Sequence, residues 1–315
     1  MISVPALLTT AGHVANHFRG VIDMTSLAES PPARRSSRSS DRARALRRQI
    51  DERLELLATA VDEVRATEMF RQYLDVQARF HRYSWHNSLL IQSQCPNARR
   101  VAGFYAWKKL GRSVRKGEKG IAIFAPCPWK RTETDDDGND VERQGLYFKV
   151  AYVFDVSQTY GAPLPEVEVP DVRAAADTLL ADLERVATQR GIAVNYTEIE
   201  SGTYGVSKGG TIDIATGHAT GQQAKTLAHE LAHEAMHQKN RPDALTRSVA
   251  ELEAESVAYV VCTHFGLDVE LRASCYIATW DGNAQALRES LERISTTARD
   301  IIDDMESLRN GKAVA

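Results

Sequence analysis

One short run of residues contains the side chains most able to do chemistry. His229, Glu230 and His233 form the pattern H-E-x-x-H. In an α-helix, residues four apart lie on one face and ~6 Å apart along the axis, so both imidazoles can bind one cation. Imidazole nitrogen is a preferred zinc ligand, and Glu230 can take a proton from a water that the metal holds. The spacing therefore predicts a zinc hydrolase with one Zn²⁺ per chain and Glu230 as general base.

A third ligand is expected from a later helix. Glu251 and Glu255 share one face of that helix, whereas Glu253 lies ~200° around the axis from Glu251 and cannot serve the same site. We assign Glu251 as the third ligand and Glu255 as a carboxylate that orients a metal-binding histidine, with the reverse assignment left open. The pair resembles the gluzincin pattern, in which E-x-x-x-D follows H-E-x-x-H, although Glu replaces Asp here.

His237 follows one turn after His233. It lies too far along the helix for the same ion unless the helix breaks, so it is predicted to be a surface or helix-end residue. The alternative for the whole region is a helix pair with a buried polar cluster and surface glutamates.

The neighbouring elements also bear on the chemistry. Gly209 and Gly210 predict a hairpin turn before a strand at 211–215, where zinc peptidases usually have the edge strand that pairs with an extended substrate. Tyr276 could donate to a developing oxyanion or be an ordinary packed tyrosine. The other elements predicted in this half are a helix at 172–189, a strand at 192–199 and a helix at 283–307.

Charge separates the chain into two halves. Residues 1–165 hold 25 Lys+Arg and 18 Asp+Glu, net +7, whereas residues 166–315 hold 14 and 24, net −10. This asymmetry and the length of 315 residues indicate two domains. Four cysteines without a C-x-x-C pair argue against a disulfide framework or a zinc ribbon and favour the cytoplasm. No apolar run approaches the ~20 residues of a membrane span, so no membrane partner is expected.

Basic residues concentrate between Arg99 and Arg131, where ten Lys+Arg accompany one acidic residue, Glu118. Aromatic rings lie among them, a mixture typical of single-stranded nucleic-acid binding, because cations follow the phosphates while rings stack on bases. A solvated basic face with the rings in the core is the alternative. The predicted contact residues are Arg99, Arg100, Trp107, Lys108, Lys109, Arg112, Arg115, Lys116 and Lys119.

Three motifs carry a resemblance to a known family: YSWHNSLLI at 83–91, WKKLGRSVRKGEKG at 107–120, and VFDVSQT at 153–159 with Gly161. Together they resemble the N-terminal, single-strand-binding domain of ArdC-type antirestriction proteins. In that family the domain precedes a zincin-like metallopeptidase domain, which is the order found here. The resemblance covers residues 45–305 and implies single-stranded DNA as a partner.

We therefore predict an α+β protein with two domains. A basic ssDNA-binding domain at 41–162 is joined by a linker at 163–170 to a zincin-like metallopeptidase domain at 171–310. Residues 1–40, rich in Ser, Arg and Pro near their end, are predicted to be a disordered tail. The first two helices are predicted at 41–61, with Asp41 as N-cap, and at 67–80.

Three functional hypotheses follow. The first is an ssDNA-binding antirestriction protein with a zinc metallopeptidase domain. The second is a non-catalytic DNA-binding or DNA-mimicking protein with a structural metal; a structural zinc prefers four protein ligands, and only three are found. The third is a regulatory protease that cleaves a repressor, as the distantly similar ImmA/IrrE group does. No residue identifies the protein substrate.

Overall fold

The computed structural model describes residues 37–59, 63–134, 140–164, 172–199, 202–238, 245–271 and 283–311. Helices and several sheets combine in an α+β fold, which confirms the predicted class. Most of the predicted tail lies outside these residues. Its last four residues are helical, because α1 spans Ser37–Ala58 and begins before the predicted cap Asp41. Asp41 instead accepts a hydrogen bond from Arg44 at 3.0 Å, one helical turn along, and so stabilises α1 from within.

The elements of the basic half follow in chain order. They are α2 (Glu63–Arg79), α3 (Trp85–Gln94), β1 (Val101–Gly103), α4 (Phe104–Lys109), β2 (Arg112–Val114), β3 (Ile121–Thr134), β4 (Asp140–Asp155) and β5 (Thr159–Gly161). One sheet has the order β1-β4-β3, and β2 pairs antiparallel with β5. The turn between β2 and β3 contains Gly117 at φ 91°, a backbone conformation that glycine adopts without strain.

Asp155 anchors the basic half from the end of β4. Its side chain is buried and accepts hydrogen bonds from the backbone amides of Arg99 at 2.7 Å, Arg100 at 3.0 Å and Ser157 at 2.9 Å. Burial alone would raise the pKa of Asp155, but these hydrogen bonds outweigh it and lower the pKa. Gln158 donates to the carbonyl of Lys119 at 2.9 Å. The VFDVSQT motif therefore fixes the loops on either side of the basic segment.

The acidic half begins with a helix and a small mixed sheet. Its elements are α5 (Val172–Gln189), β6 (Ala193–Thr197), β7 (Gly205–Ser207), β8 (Thr211–Ala215), α6 (Thr220–His233), a π-helix (Glu234–Gln238), α7 (Arg247–His264) and α8 (Ala284–Arg309). The β7–β8 hairpin confirms the predicted turn. The sheet order is β6-β8-β7, so the prediction of strand 211–215 as an edge strand is wrong. Parallel pairing with β6 covers the other side of β8 and leaves β7 at the edge.

Helices α6 and α7 lie inside the core. Their apolar side chains are buried and pack among those of α5 and α8; residues without solvent exposure include Leu183, Leu231, Val257 and Ile294. Polar side chains on such helices need partners, because an unpaired polar group costs several kcal/mol, on the order of 2–7, when it is buried. The histidines and glutamates of α6 and α7 are therefore expected to contact one another.

The chain forms two compact units. One consists of residues 37–44 with the hairpin arms 124–134 and 140–151, and the other contains the remaining described residues from 45 to 311. Within the second unit, α2 packs on α7 and α3 contacts α8. Residues from both sides of the predicted linker therefore share this unit, and the boundaries at 163–170 stay a prediction. None of the helices described is long and apolar enough to cross a membrane.

Candidate metal centre

Three side chains from two helices converge at one point. His229 and His233 lie one turn apart near the end of α6, and Glu251 lies in the first turns of α7. The Nε2 atoms of the histidines are 3.0 Å apart, and Glu251 Oε2 lies 3.5 Å from His229 Nε2 and 3.7 Å from His233 Nε2. These three residues form a group that could hold a metal ion.

The spacing of the three atoms fits zinc. Ligand atoms ~2.0–2.1 Å from a tetrahedral ion lie about 3.3 Å from one another. The three measured separations, 3.0, 3.5 and 3.7 Å, bracket that value. Glu251 therefore has the geometry of a third ligand, with a position left open for a fourth.

Glu255 contacts the opposite ring nitrogen of His229. Its Oε2 lies 3.6 Å from Nδ1, and its other oxygen accepts from Lys225 Nζ at 2.7 Å. This is the position expected for a carboxylate that orients a metal-binding histidine. Burial opposes protonation of His229, but the carboxylates of Glu251 and Glu255 outweigh it and raise its pKa to about 9.

Glu253 is connected to His233 through a third histidine, His237. The sequence did not predict this connection. The chain changes from α- to π-helix at Glu234, and the wider turn places His237 Nδ1 2.9 Å from His233 Nδ1. His237 Nε2 lies 3.0 Å from Glu253 Oε2. His237 is 8% exposed, so it is not a surface residue, although it lies in the last turn of the helix, which is the other position that the sequence predicted. The signal in the sequence was a third histidine at the same spacing.

The contacts determine which nitrogens carry protons. If Nε2 of His233 binds a cation, its Nδ1 must carry hydrogen and donate to Nδ1 of His237. His237 then donates from Nε2 to Glu253. Glu253 is inaccessible to solvent and also accepts hydrogen bonds from Ser290 and Arg293. Through His237, Glu253 would then hold the ring of His233 in place without being one of the three converging residues.

Glu230 is buried beneath the edge strand β7. A Cβ added to Gly205 would lie 2.6 Å from Thr226 Cγ2 and 3.2 Å from Glu230 Oε1, so glycine is required where strand and helix approach. Burial raises the pKa of Glu230 above its ordinary value, while His229 and His233 oppose that shift. The carboxyl group therefore lies beside both the histidines and a strand whose outer edge pairs with no other described strand.

Glu234 connects the hairpin to α6. One of its oxygens accepts from Gly209 N at 2.8 Å and Ser207 Oγ at 2.7 Å, and the other accepts from Gly210 N at 2.8 Å. Glu234, the first residue of the π-helix, therefore binds the turn between β7 and β8 through hydrogen bonds.

The basic segment agrees less well with the sequence prediction. Trp107 is 2% exposed, and its indole nitrogen donates to the carbonyl of Phe154 at 2.8 Å. It cannot stack on a base in this structure, because the ring is buried in the core. The rings exposed on the same helix are Phe104, 50% exposed, and Tyr105, 78% exposed.

Two of the predicted arginines contact the protein's own backbone. The Arg112 guanidinium donates to Thr159 Oγ1 at 2.8 Å and to the carbonyl of Ala162, and Arg115 donates to the carbonyl of Ser157. These contacts attach β2 and the following turn to residues 157–162, which include β5, so both side chains stabilise the fold.

The remaining predicted cations face solvent. Arg99 and Arg100 are exposed at the start of β1, while their backbone amides bind Asp155. Four lysines are exposed and make no side-chain ion pair with a described residue: Lys108, Lys109, Lys116 and Lys119. Tyr276, the predicted oxyanion donor, lies outside the described residues.

Comparison with known families assigns the two halves separately. Residues 41–154 match the N-terminal domain of the anti-restriction factor ArdC. Residues 187–264, which contain the H-E-x-x-H helix and Glu251, match the IrrE N-terminal-like domain, a peptidase M78 family. A segment similar to the ArdC N-terminal domain is thus followed by a segment similar to the M78 peptidase domain, which is the order that the sequence predicts. In this order of domains the chain resembles ArdC.

Individual relatives are more distant. The chain is 25% identical over 272 residues to the uncharacterized protein pXO2-81 of Bacillus anthracis, an alignment that includes 73% of this chain and 46% of that protein. The chain thus spans about half the length of this relative.

Solved structures of the antirestriction protein ArdC from plasmid R388 are also similar. The metal-free structure has 21% identity and a TM-score of 0.48, covering 74% of this chain and 87% of that one. The Mn(II)-bound structure has 17% identity and a TM-score of 0.49, covering 83% and 97%.

Proposed function

We propose that the protein is an antirestriction protein that binds single-stranded DNA and carries a zinc-dependent peptidase-type site. The observation that carries the peptidase part is the convergence of His229, His233 and Glu251 beside the buried Glu230. The family match of residues 41–154 supports the antirestriction part.

The site residues have separate roles in this proposal. His229, His233 and Glu251 would hold the ion, and Glu253 and Glu255 would orient the two imidazoles. When bound, Zn²⁺ supplies a Lewis acid that polarises a carbonyl and activates water. Glu230 would accept a proton at its carboxylate and return it to the leaving amine, a role that suits a carboxyl group whose pKa is raised by burial. An extended peptide would pair with the open edge of β7.

The DNA-binding surface in this proposal differs from the nine residues that the sequence predicts. It comprises the exposed rings Phe104 and Tyr105 with Lys108, Lys109, Lys116 and Lys119. Exposed cations that form no ion pair with a described residue can neutralise phosphates, and exposed rings can stack on bases irrespective of sequence. Such a surface would coat a single strand with little base preference.

One experiment separates protection by binding from protection by cleavage. Unmethylated DNA is introduced into a restricting host that expresses wild type, Glu230→Gln or a Lys108/Lys109/Lys116/Lys119 quadruple Ala variant at matched levels. We expect Glu230→Gln to protect like wild type and the lysine variant to fail, because coating requires no hydrolysis. The reverse pattern would indicate cleavage of a restriction component or a repressor. Absence of protection by wild type would refute the antirestriction role in that host.

The metal is tested on purified protein. Zinc at the candidate metal centre should be retained by Glu230→Gln. It should be lost in His229→Ala, His233→Ala and Glu251→Ala, because only these three variants remove a ligand. Metal content is measured by mass spectrometry after exchange with zinc and manganese in parallel, since a similar structure contains Mn(II). Comparing the proteomes of cells expressing wild type and Glu230→Gln would identify a substrate. A protein cleaved only by wild type would establish turnover.

A further inference from the structure

A second group of metal-binding side chains lies away from the candidate metal centre. It consists of His81 in the turn after α2, His264 at the end of α7 and Glu306 in α8, whose ligand atoms lie within 4.8 Å of one another. His264 is thirteen residues beyond Glu251 on α7, which is about 20 Å along a helix axis. The two groups cannot share an ion.

His81 is the buried, unsatisfied member of the group. It is 8% exposed, and neither ring nitrogen has a hydrogen-bond partner among the described residues. The nearest carboxylate oxygen, Asp303 Oδ1, lies 3.8 Å from Nε2, beyond hydrogen-bond length. A buried imidazole normally binds a protein group or ordered water, so this one requires an explanation.

The tautomer of His264 leaves a lone pair toward the same point. Its Nδ1 lies 2.8 Å from the carbonyl of Ala78 and must carry the hydrogen, because a carbonyl only accepts. Nε2 is then unprotonated in the neutral ring and lies 3.6 Å from Glu306 Oε1. A histidine fixed by a backbone carbonyl through one nitrogen is a common arrangement for metal ligands.

Arg82 contacts the carboxylates of Glu306 and Asp303 and leaves Glu306 Oε1 facing His264. It donates to Glu306 Oε2 at 2.6 Å and lies 3.5 Å from Asp303 Oδ1 through Nε. Glu306 therefore has one oxygen on the guanidinium and the other facing His264. The carboxylates of Glu306 and Asp303 and the guanidinium of Arg82 have a net charge of −1. A divalent cation would change that net charge to +1.

We propose that His81, His264 and Glu306 bind a second Zn²⁺-type ion, with Asp303 positioned to supply a fourth ligand. Two imidazoles with carboxylates suit zinc. His264 Nε2 lies 3.6 Å from Glu306 Oε1 and His81 Nε2 lies 3.8 Å from Asp303 Oδ1, both longer than the about 3.3 Å between ligands of a tetrahedral site, so the side chains must move closer together on binding and we expect weaker binding than at His229 and His233. Since His81 lies in the ArdC-matched segment and His264 in the IrrE-like segment, the ion would tie the two together.

The test uses the full-length His229→Ala/His233→Ala variant, in which the first site is disabled. After treatment with a chelator, it is titrated with Zn²⁺ by calorimetry and with Co²⁺ by absorption. We expect one equivalent to bind and to raise the melting temperature. Adding His81→Ala or His264→Gln should abolish that equivalent. Adding Asp304→Asn, which removes a neighbouring α8 carboxylate that instead binds Arg190 at 2.6 Å, should leave it intact.

Three outcomes would overturn the proposal: no zinc uptake by the double variant, uptake that His81→Ala and His264→Gln leave unchanged, or equal loss in Asp304→Asn. If the double variant does not fold, wild type is compared with His81→Asn. Wild type should then bind two equivalents, the second more weakly, and His81→Asn one. A single equivalent in both proteins would refute the second site, whatever the first site does.

Discussion

The candidate metal centre and the basic segment both contain several charged side chains, but these side chains are partnered and buried in the first and exposed in the second. At the metal centre, Glu253 is wholly buried and accepts hydrogen bonds from three residues. In the basic segment, Lys108 and Lys116 extend into solvent. Rigid, partnered groups suit chemistry that needs fixed distances, whereas mobile cations suit a polymer whose phosphates vary in position.

This difference also explains which predictions succeeded. Spacing along a helix determines direction, so H-E-x-x-H and Glu251 correctly predicted which side chains converge. Composition carries no direction, so a count of cations and rings could not separate Trp107, which is buried, from Tyr105, which is exposed. The following predictions test the comparison, from the largest expected effect to the smallest.

The largest expected difference is between two of the three aromatic residues of α4, the buried Trp107 and the exposed Tyr105. Trp107→Ala should lower the free energy of unfolding by about 3–5 kcal/mol, because it removes a buried ring and leaves a cavity. Tyr105→Ala should change it by less than about 0.5 kcal/mol, since the ring is exposed. Urea unfolding measures both. Equal stability of the two variants would place Trp107 back at the surface.

At the metal centre, the effect of an orienting residue can be measured. Glu253→Gln should weaken zinc affinity about 10–100-fold, because His237 loses its charged acceptor. His237 would then hold the ring of His233 less firmly. Competition with a chromogenic chelator gives the affinity, and Asp300→Asn on the exposed surface of α8 serves as the control. Unchanged affinity in Glu253→Gln would show that the contact through His237 does not reach the ion.

The exposed rings should contribute to DNA affinity without contributing to its salt dependence. Tyr105→Ala should weaken binding of single-stranded DNA by about 1–3 kcal/mol, the usual loss for one stacked base. Its slope of log affinity against log salt should equal that of wild type, because no cation is removed. Fluorescence anisotropy over a salt series measures both quantities. A changed slope would indicate that Tyr105 acts by positioning a lysine.

Single lysines should have the smallest effects. Lys108→Ala or Lys116→Ala should reduce the magnitude of the salt slope by about 0.7 per lost phosphate contact. Arg115→Ala is the matched comparison, since its guanidinium already binds the carbonyl of Ser157. It should leave the slope unchanged while lowering stability. Loss of slope in Arg115→Ala alone would reverse the assignment of these cations.

Some features of the site lay beyond sequence reasoning for a physical reason. Helical periodicity predicted that Glu255 would share a face with Glu251, and its contact with His229 agrees. The same periodicity did not predict the buried contact between His237 and His233, because it assumes regular turns and the helix widens there. The strand order failed as well, since pairing between β6 and β8 depends on residues distant in the chain. Local patterns predict local direction, and non-local contacts need coordinates.

The π-helix at Glu234–Gln238 makes this part of the chain sensitive to length as well as to residue type. Its extra residue per turn brings a third histidine into line with two that already share a face. Deleting one of the three residues Glu234, Ala235 or Met236 would allow ordinary α-helical hydrogen bonding to resume. The same deletion would rotate the third histidine by about 100° and separate it from Glu253. Substitutions should therefore accumulate more readily in this segment than insertions or deletions.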